Sequence, residues 1–471
     1  MKMLLNGQWV DKTEKINVYD PFDNSLIDTV PAADEKDACL AIDAAVKGFE
    51  VSKKLTIKQK ADILYKAADY IKNHFDDFAT TIARESSKTI KEAKKETGRC
   101  INTLIISAEE AKRLQGETIP FDSFTGGEKR LGYYYRFPIG VVLAITPFND
   151  PLNLVAHKLG PAIAAGNSVI LKPASVTPLS AIKLGEALLA AGLPPQCLQI
   201  ITGSGDKIGS YLVKSEAIRM VSFTGGFEAG KKITTIAGIK KIGMELGSNS
   251  PVIVCDDTDI DYAVDSCVSG AFWAAGQNCI GVQRIYIQSG VYDDFKKKFV
   301  ERTLKYKIGN KMLEETDMGP MITEKEAERV ESIVKEAINE GAVLLCGGKR
   351  FKALMQPTVL ENVSVNSSIH KDEIFGPAVN LYKFTDIDEA IDKSNSLPFG
   401  LHAAIFTDNI NIAMKAAYSL DCGGVMINDS TDYRLDSMPF GGIKNSGLGR
   451  EGIKFSLSEM TEPKVICINM K

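Results

Sequence analysis

Short apolar runs of strand composition recur along this chain, and helical patterns separate them. That alternation limits the possible folds more than any other feature. Runs at residues 140–145, 168–171, 198–201 and 220–223 are spaced by patterns such as the apolar helix-like stretch 179–191. Strands that alternate with helices indicate βαβ units and a mostly parallel sheet. A second series runs from residues 251–254 through 284–287 and 343–345 to 424–428, which puts a domain boundary between Leu246 and Ser250. Upstream, residues 33–111 carry apolar side chains at three- and four-residue spacing (Ala38, Ile42, Ala45; Ile63, Ala67, Tyr70, Ile71), the mark of amphipathic helices that pack on a sheet. The fold class is α/β.

Composition excludes several functions. The 471 residues are 44% hydrophobic and 25% charged with a net charge of −4, so the chain can bury a large core, and its scattered Lys and Arg give no footprint for nucleic acid. Nine cysteines, an odd number without a CxxC pair, suit reduced thiols rather than a disulfide framework. The four histidines stand far apart, so no metal site is expected. No apolar stretch reaches 18 residues and the N-terminus does not read as a signal peptide, so no membrane contact and a cytoplasmic location are expected.

Two segments carry chemistry. In Ala274-Ala275-Gly276-Gln277-Asn278-Cys279, small neighbours leave a thiol open to close approach, although free cysteine is also a common core residue. Glu245, between Met244 and Leu246, is a carboxylate in an apolar run, costly to bury without compensation and a candidate base. Two glycine turns follow strand-like runs, one spanning Gly203, Gly205 and Gly209 and the other spanning Gly225, Gly226 and Gly230. Strand, glycine turn and helix N-terminus together form an anion site. The second turn nearly matches a phosphate-binding P-loop, but Lys232 stands where Ser or Thr would hold magnesium, which argues against an NTPase.

Seven ordered segments, 145–149, 171–173, 222–225, 245–247, 276–279, 373–377 and 439–442, resemble the NAD(P)-dependent aldehyde dehydrogenase superfamily essentially end to end. The resemblance implies a Rossmann-like cofactor domain (1–122 and 140–246), an α/β catalytic domain (247–429) and a small oligomerisation sheet (123–139 and 446–471), in a homodimer or homotetramer. It implies Cys279 as nucleophile, Glu245 as base for hydrolysis and Asn149 as oxyanion donor with the Cys279 N–H. One such donor contributes about 3–4 kcal/mol to transition-state stabilisation. It implies cofactor contacts from Thr146, Pro147, Phe148, Lys172, Ala174, Ser175, Gly205, Gly209, Phe223, Thr224, Gly225, Gly226, Leu246, Glu373 and Phe375. Glu373 would bind the nicotinamide ribose. Relatives that strongly prefer NAD often have glutamate where Ser175 stands, so dual NAD/NADP use or NADP preference is expected. Gly226 replaces a serine common among relatives, which removes one hydroxyl contact. A glutamate at the Glu245 position is generally lacking in relatives that pass the acyl group to coenzyme A, so its presence favours hydrolysis.

Within the superfamily, residues 146–158 and 428–434 look closest to the lactaldehyde dehydrogenase type. Expected substrate contacts are Asn149, Asn153, His157, Asn278 and Arg434. Arg434 and His157 could bind an anionic tail; the alternative is a surface arginine paired with Asp432 or Asp436. The favoured substrate is a short 2-hydroxyaldehyde such as lactaldehyde or sulfolactaldehyde. Alternatives are succinate semialdehyde, glyceraldehyde 3-phosphate, which Asn278 before the nucleophile disfavours, and, in another class, a thiol acyltransferase or thioesterase reaction.

Overall fold

The computed structural model describes residues 1–471 and holds two large sheets. In the first, strands Leu198–Ile200, Ser168–Lys172, Val141–Ile145, Ile218–Thr224 and Lys241–Glu245 lie side by side and parallel. Chain order reverses beside Val141–Ile145, and such a switch point opens a crevice at the carboxyl ends of the strands. Residues 146–149, Lys172 and Thr224-Gly225 therefore converge at one edge. The central strands are buried on both faces, as their unbroken apolar composition requires. Helices Ile57–Asn73, Phe75–Glu85, Ile90–Arg113, Asn153–Ala165 and Leu179–Ala190 build the large core against this sheet. Capping boxes at Thr56/Gln59 and Thr89/Glu92 fix two of their starts.

The chain crosses to the second sheet in four residues, from Glu245 to Ser250. There Thr358–Glu361, Ala378–Phe384, Val282–Gln288, Ser250–Val254, His402–Phe406 and Gly424–Ile427 run parallel. Val343–Cys346, expected in the parallel series, pairs antiparallel with Thr358–Glu361 at the edge.

A third sheet joins Thr461–Asn469 to Arg130–Pro138, with Glu117–Ile119 on the other side. Its members differ from those expected at two points. Glu117–Ile119 had been grouped with the cofactor domain, but the short run after helix Ile90–Arg113 turns back onto the long strand. Gly447–Leu448, grouped with the small sheet, pairs with Lys241–Glu245 of the first, and helix Ile453–Glu459 packs on helix Asn153–Ala165. The C-terminal stretch thus covers the end of Lys241–Glu245 before it reaches the small sheet. No helix is long and apolar enough to cross a membrane. All nine cysteines are unpaired.

Candidate active site

Cys279 follows a loop whose backbone is unusual. Ala274, Ala275 and Gly276 all have positive φ (49°, 56° and 67°), a conformation that costs non-glycine residues about 1–2 kcal/mol each. All three are buried, and a Cβ on Gly276 would collide with the Gly376 carbonyl. The small residues before the cysteine thus serve a left-handed, tightly packed loop rather than the approach of a substrate. Buried hydrogen bonds hold this loop. Glu92 Oε1 accepts from Ala274 N at 2.8 Å, Gln277 Nε2 donates to Ser87 Oγ at 2.8 Å, and Gln277 Oε1 accepts from Ile322 N at 2.9 Å.

The loop places Cys279 on a cavity of about 550 Å³ together with Asn149, Asn278, Arg99, Arg434 and Phe440. Burial pushes the thiol up to about 12; Arg434 opposes this, and Glu373, Glu245 and Asp150 add to it. Next to Asn149, Asp150 pairs with the fully buried Lys88, whose ammonium also donates to Glu96 at 2.6 Å and lies 4.5 Å from the Trp273 ring centroid. Glu96 in turn accepts from the N–H groups of Leu152 and Asn153, at the start of the helix behind Asn149.

Arg434 is neither a surface group nor paired with Asp432 or Asp436. Its side chain is 8% exposed, its Nη2 lies 3.2 Å from Glu451 Oε2, and its guanidinium stacks 3.6 Å from the Phe440 ring centroid. Its Nε–H is buried without a partner, as is that of Arg99. Nothing in the linear sequence marks Arg99, which lies on helix Ile90–Arg113, one residue before the buried Cys100, and pairs with Asp436 at 2.8 Å. His157 and Asn153, expected to contact substrate, do not line the cavity. Both sit on a helix buried on every side and bond Asp436, His157 Nε2 at 2.8 Å and Asn153 Nδ2 at 3.2 Å, so they brace the carboxylate that holds Arg99.

Glu245 ends its strand just below this cavity and lines a separate small cleft with Arg450 and Glu451. Its Oε2 is buried without a partner. Burial first, then the charge of Glu451, holds its carboxyl well above the usual range, while Arg434, Lys158 and Arg450 pull the other way. Glu451 goes the opposite way, lowered to about 2 by Lys158 at 2.8 Å and Arg434 despite its own burial. Neither Lys158 nor Glu451 had been singled out, although a lysine in the apolar run Leu154–Ile163 was a legible signal of a buried ion pair.

A second cavity, of about 220 Å³, lies at the crevice and is lined by Lys172, Gly205, Gly209, Phe223, Ala229 and Lys232 among others. Lys172 is buried without an ion-pair partner and its ammonium is lowered to about 8 by burial. Thr146 and Thr224 each keep a buried hydroxyl unpartnered, a Cβ on Gly225 would strike the Phe223 ring, and Gly226 starts helix Phe227–Ile236 with no side-chain cap. Leu246 is buried beside Gly230. A cationic group, spare hydroxyls and a bare helix start suit a dinucleotide. Ser175 donates to Gly203 O at 3.0 Å and ties the strand end to the first glycine turn, with Ala174 half-buried beside it. Between the two cavities Phe148 meets Phe375 edge to face, with Pro147 half-buried alongside, and Glu373 Oε1 accepts from Ser248 N at 2.9 Å. A Cβ on Gly247 would collide with the Glu373 carboxylate, which burial pushes up to about 7.

The chain is similar to known proteins over nearly its whole length. An aspartate-semialdehyde dehydrogenase from Pseudomonas canavaninivorans is 50% identical over 97% of each chain. A 3-sulfolactaldehyde dehydrogenase from Priestia megaterium is 44% identical over 99% of this chain and 98% of its own. The crystal structure of a glyceraldehyde-3-phosphate dehydrogenase from Methanocaldococcus jannaschii with NADP superposes with a TM-score of 0.94, at 41% identity over 98% of this chain and all of that one. The aldehyde dehydrogenase family profile matches residues 9–466. The chain belongs to the aldehyde dehydrogenase family, NAD(P)-dependent oxidoreductases that act on aldehydes.

Proposed function

We propose that this enzyme oxidises a short aldehyde with an anionic far end to its carboxylic acid, the end group being a carboxylate or a sulfonate. One observation carries the reading: Arg99 and Arg434 border the Cys279 cavity, and each retains a buried Nε–H with no partner. Arginine in a water-poor cavity recognises carboxylate and sulfonate strongly. The names of the two sequence relatives support it, since aspartate semialdehyde and 3-sulfolactaldehyde both end in an anion. Sulfolactaldehyde is also the one of the two 2-hydroxyaldehydes favoured from sequence that carries an anion, a sulfonate at C3.

Cys279 releases its thiol proton to bulk water and attacks the aldehyde carbon as thiolate, and the Asn149 amide with the Cys279 N–H stabilises the resulting oxyanion of the thiohemiacetal. Thr146, Lys172, Thr224 and the Gly225 turn would hold the dinucleotide, with Glu373 on its nicotinamide ribose. Bound there, it supplies the hydride acceptor. The thioester left on Cys279 is hydrolysed by water that gives its proton to Glu245, and the thiol is restored. With Ser175 in place of an acidic residue, no carboxylate at that position repels a 2′-phosphate, and Lys232 pairs with the Asp206 that also lines the crevice, so NADP is accepted.

NAD(P)H formation at 340 nm tests the reading, with sulfolactaldehyde, succinate semialdehyde, aspartate semialdehyde and propanal as substrates. Anionic aldehydes should exceed propanal in kcat/KM, Cys279→Ala should abolish turnover, and Glu245→Gln should leave a burst near one equivalent before a slow steady rate. Propanal as the best substrate would sink the anionic reading. An unimpaired Glu245→Gln would remove Glu245 as the base.

A further inference from the structure

The cavity that holds Cys279 is not uniformly cationic. Helix Ile260–Phe272 lines it with Asp265, Ser266 and Ser269, and the loop after strand Gly424–Ile427 adds Asp429, Ser430 and Asp432. Most carboxylates around it are spoken for. Glu96 and Asp150 share Lys88, and Asp265 binds Arg302 at 2.7 Å. Asp429 Oδ1 accepts from the adjacent Ser430 N at 2.7 Å. Neither Asp429 nor Asp432 forms an ion pair, and both are half-buried; Asp432 is the one that accepts no backbone N–H from a neighbour, although Lys95, exposed at the mouth, is near enough to influence it electrostatically.

Its surroundings are built rather than incidental. A Cβ placed on Gly270 would lie 2.9 Å from Asp432 Oδ1 and would collide with Ser430 Oγ, so carboxylate and hydroxyl sit side by side over the one residue of the helix that has no side chain. The Ser430 hydroxyl is buried, borders the cavity and has no hydrogen-bond partner. A buried polar group without a partner costs stability. Burial raises the Asp432 carboxyl and the like charge of Asp429 adds to this, while the Ser430 hydroxyl, close by but beyond hydrogen-bond distance, and Lys95 pull it down.

We propose that Asp432 and Ser430 form an ammonium subsite on the same cavity as Arg99 and Arg434, so that the substrate is the semialdehyde of an amino acid, with amino and carboxylate groups on one carbon. The inference rests on the anionic-tail reading above and deepens it. An ammonium brings three donors and a positive charge, which suits a carboxylate beside a free hydroxyl acceptor. The arginines take the carboxylate. The unpaired Asp432 also repels tails that are anionic only, so the subsite selects in both directions.

Aspartate semialdehyde and succinate semialdehyde make the test, since they differ only in an ammonium in place of a hydrogen. We would measure kcat and KM for both on the full-length enzyme, as wild type, Asp432→Asn and Ser430→Ala, with NADPH binding followed by fluorescence to confirm folding. The wild type should prefer the aminated aldehyde by about tenfold or more in kcat/KM. Asp432→Asn should bring the ratio to within about threefold, mainly through KM, and Ser430→Ala should lower it less. A wild-type preference for succinate semialdehyde, or a ratio unmoved in a folded Asp432→Asn, overturns the ammonium subsite. If wild type oxidises sulfolactaldehyde but neither semialdehyde, the subsite falls and the anionic-tail reading stands. If propanal outruns every anionic aldehyde, the underlying reading itself falls.

Discussion

Replacing Arg434 by methionine separates recognition of the substrate tail from general catalysis. The side chain does three things in the structure. It borders the cavity with spare donors, it pulls the Cys279 thiol down against the effect of burial, and it pairs with Glu451 while stacking on Phe440. The second and third act on every substrate alike, whereas the first acts only on aldehydes with an anionic end. One hydrogen bond between charged groups contributes about 1.5–3 kcal/mol. The kcat/KM ratio of succinate semialdehyde to propanal should therefore fall by about 10- to 150-fold, at 1.4 kcal/mol per factor of ten. The fold should survive, because Glu451 keeps Lys158 at 2.8 Å and is not left as an uncompensated buried charge. NADPH formation at 340 nm gives both terms of the ratio. Equal losses for the two substrates would refute the reasoning and reduce Arg434 to a brace for Glu451 and Phe440.

Three further outcomes are expected. Gly247→Ala displaces the Glu373 carboxylate from Ser248 N and should raise the cofactor KM about tenfold, the worth of one hydrogen bond to a charged group; an unchanged KM would remove Glu373 from the cofactor site. Burial keeps Cys279 a neutral thiol, so without cofactor its inactivation by iodoacetamide should rise about tenfold per pH unit between pH 7 and 9, and a plateau near pH 8 would contradict this. Glu451→Gln removes a charge that raises Glu245 and leaves Lys158 and Arg434 to stabilise its carboxylate, so the acid limb of steady-state turnover should move to lower pH. An unmoved limb would uncouple the two groups.

The alternation of apolar runs was enough to read two parallel sheets and the crossing near Leu246, because strands buried on both faces must be continuously apolar. The N-terminal strands Met3–Leu5 and Gln8–Val10 were missed; they are only three residues each and take their identity from the sheet edge they join. The site was legible where a residue type is unusual in its local setting, as with Glu245 among apolar neighbours. It was not legible where meaning depends on distant partners. Asn153 and His157 look like cavity residues in the linear sequence, but Asp436, more than 270 positions away, turns both away from it. The alternative of an Arg434 paired with Asp432 or Asp436 fails for the same reason: Glu451 reaches it through the C-terminal segment that pairs with Lys241–Glu245.

The way that segment closes the site bears on how the two carboxylates divide their work. Glu245 and Glu451 feel each other's charge in a buried setting, and such a pair cannot easily carry two negative charges. The cations decide which one ionises. Lys158 and Arg434 bond Glu451 directly, whereas Glu245 receives their influence only through space and leaves one oxygen unpartnered. Glu451 is therefore the more readily ionised of the two, and Glu245 keeps its proton to higher pH. Pairs pushed apart in this way mark acid and base assignments. A resting Glu245 that is neutral does not repel the hydride-transfer site or an anionic substrate. It acts as a base only where its proton has passed to bulk water, so hydrolysis of the Cys279 thioester should speed as pH rises through the raised range of this carboxyl.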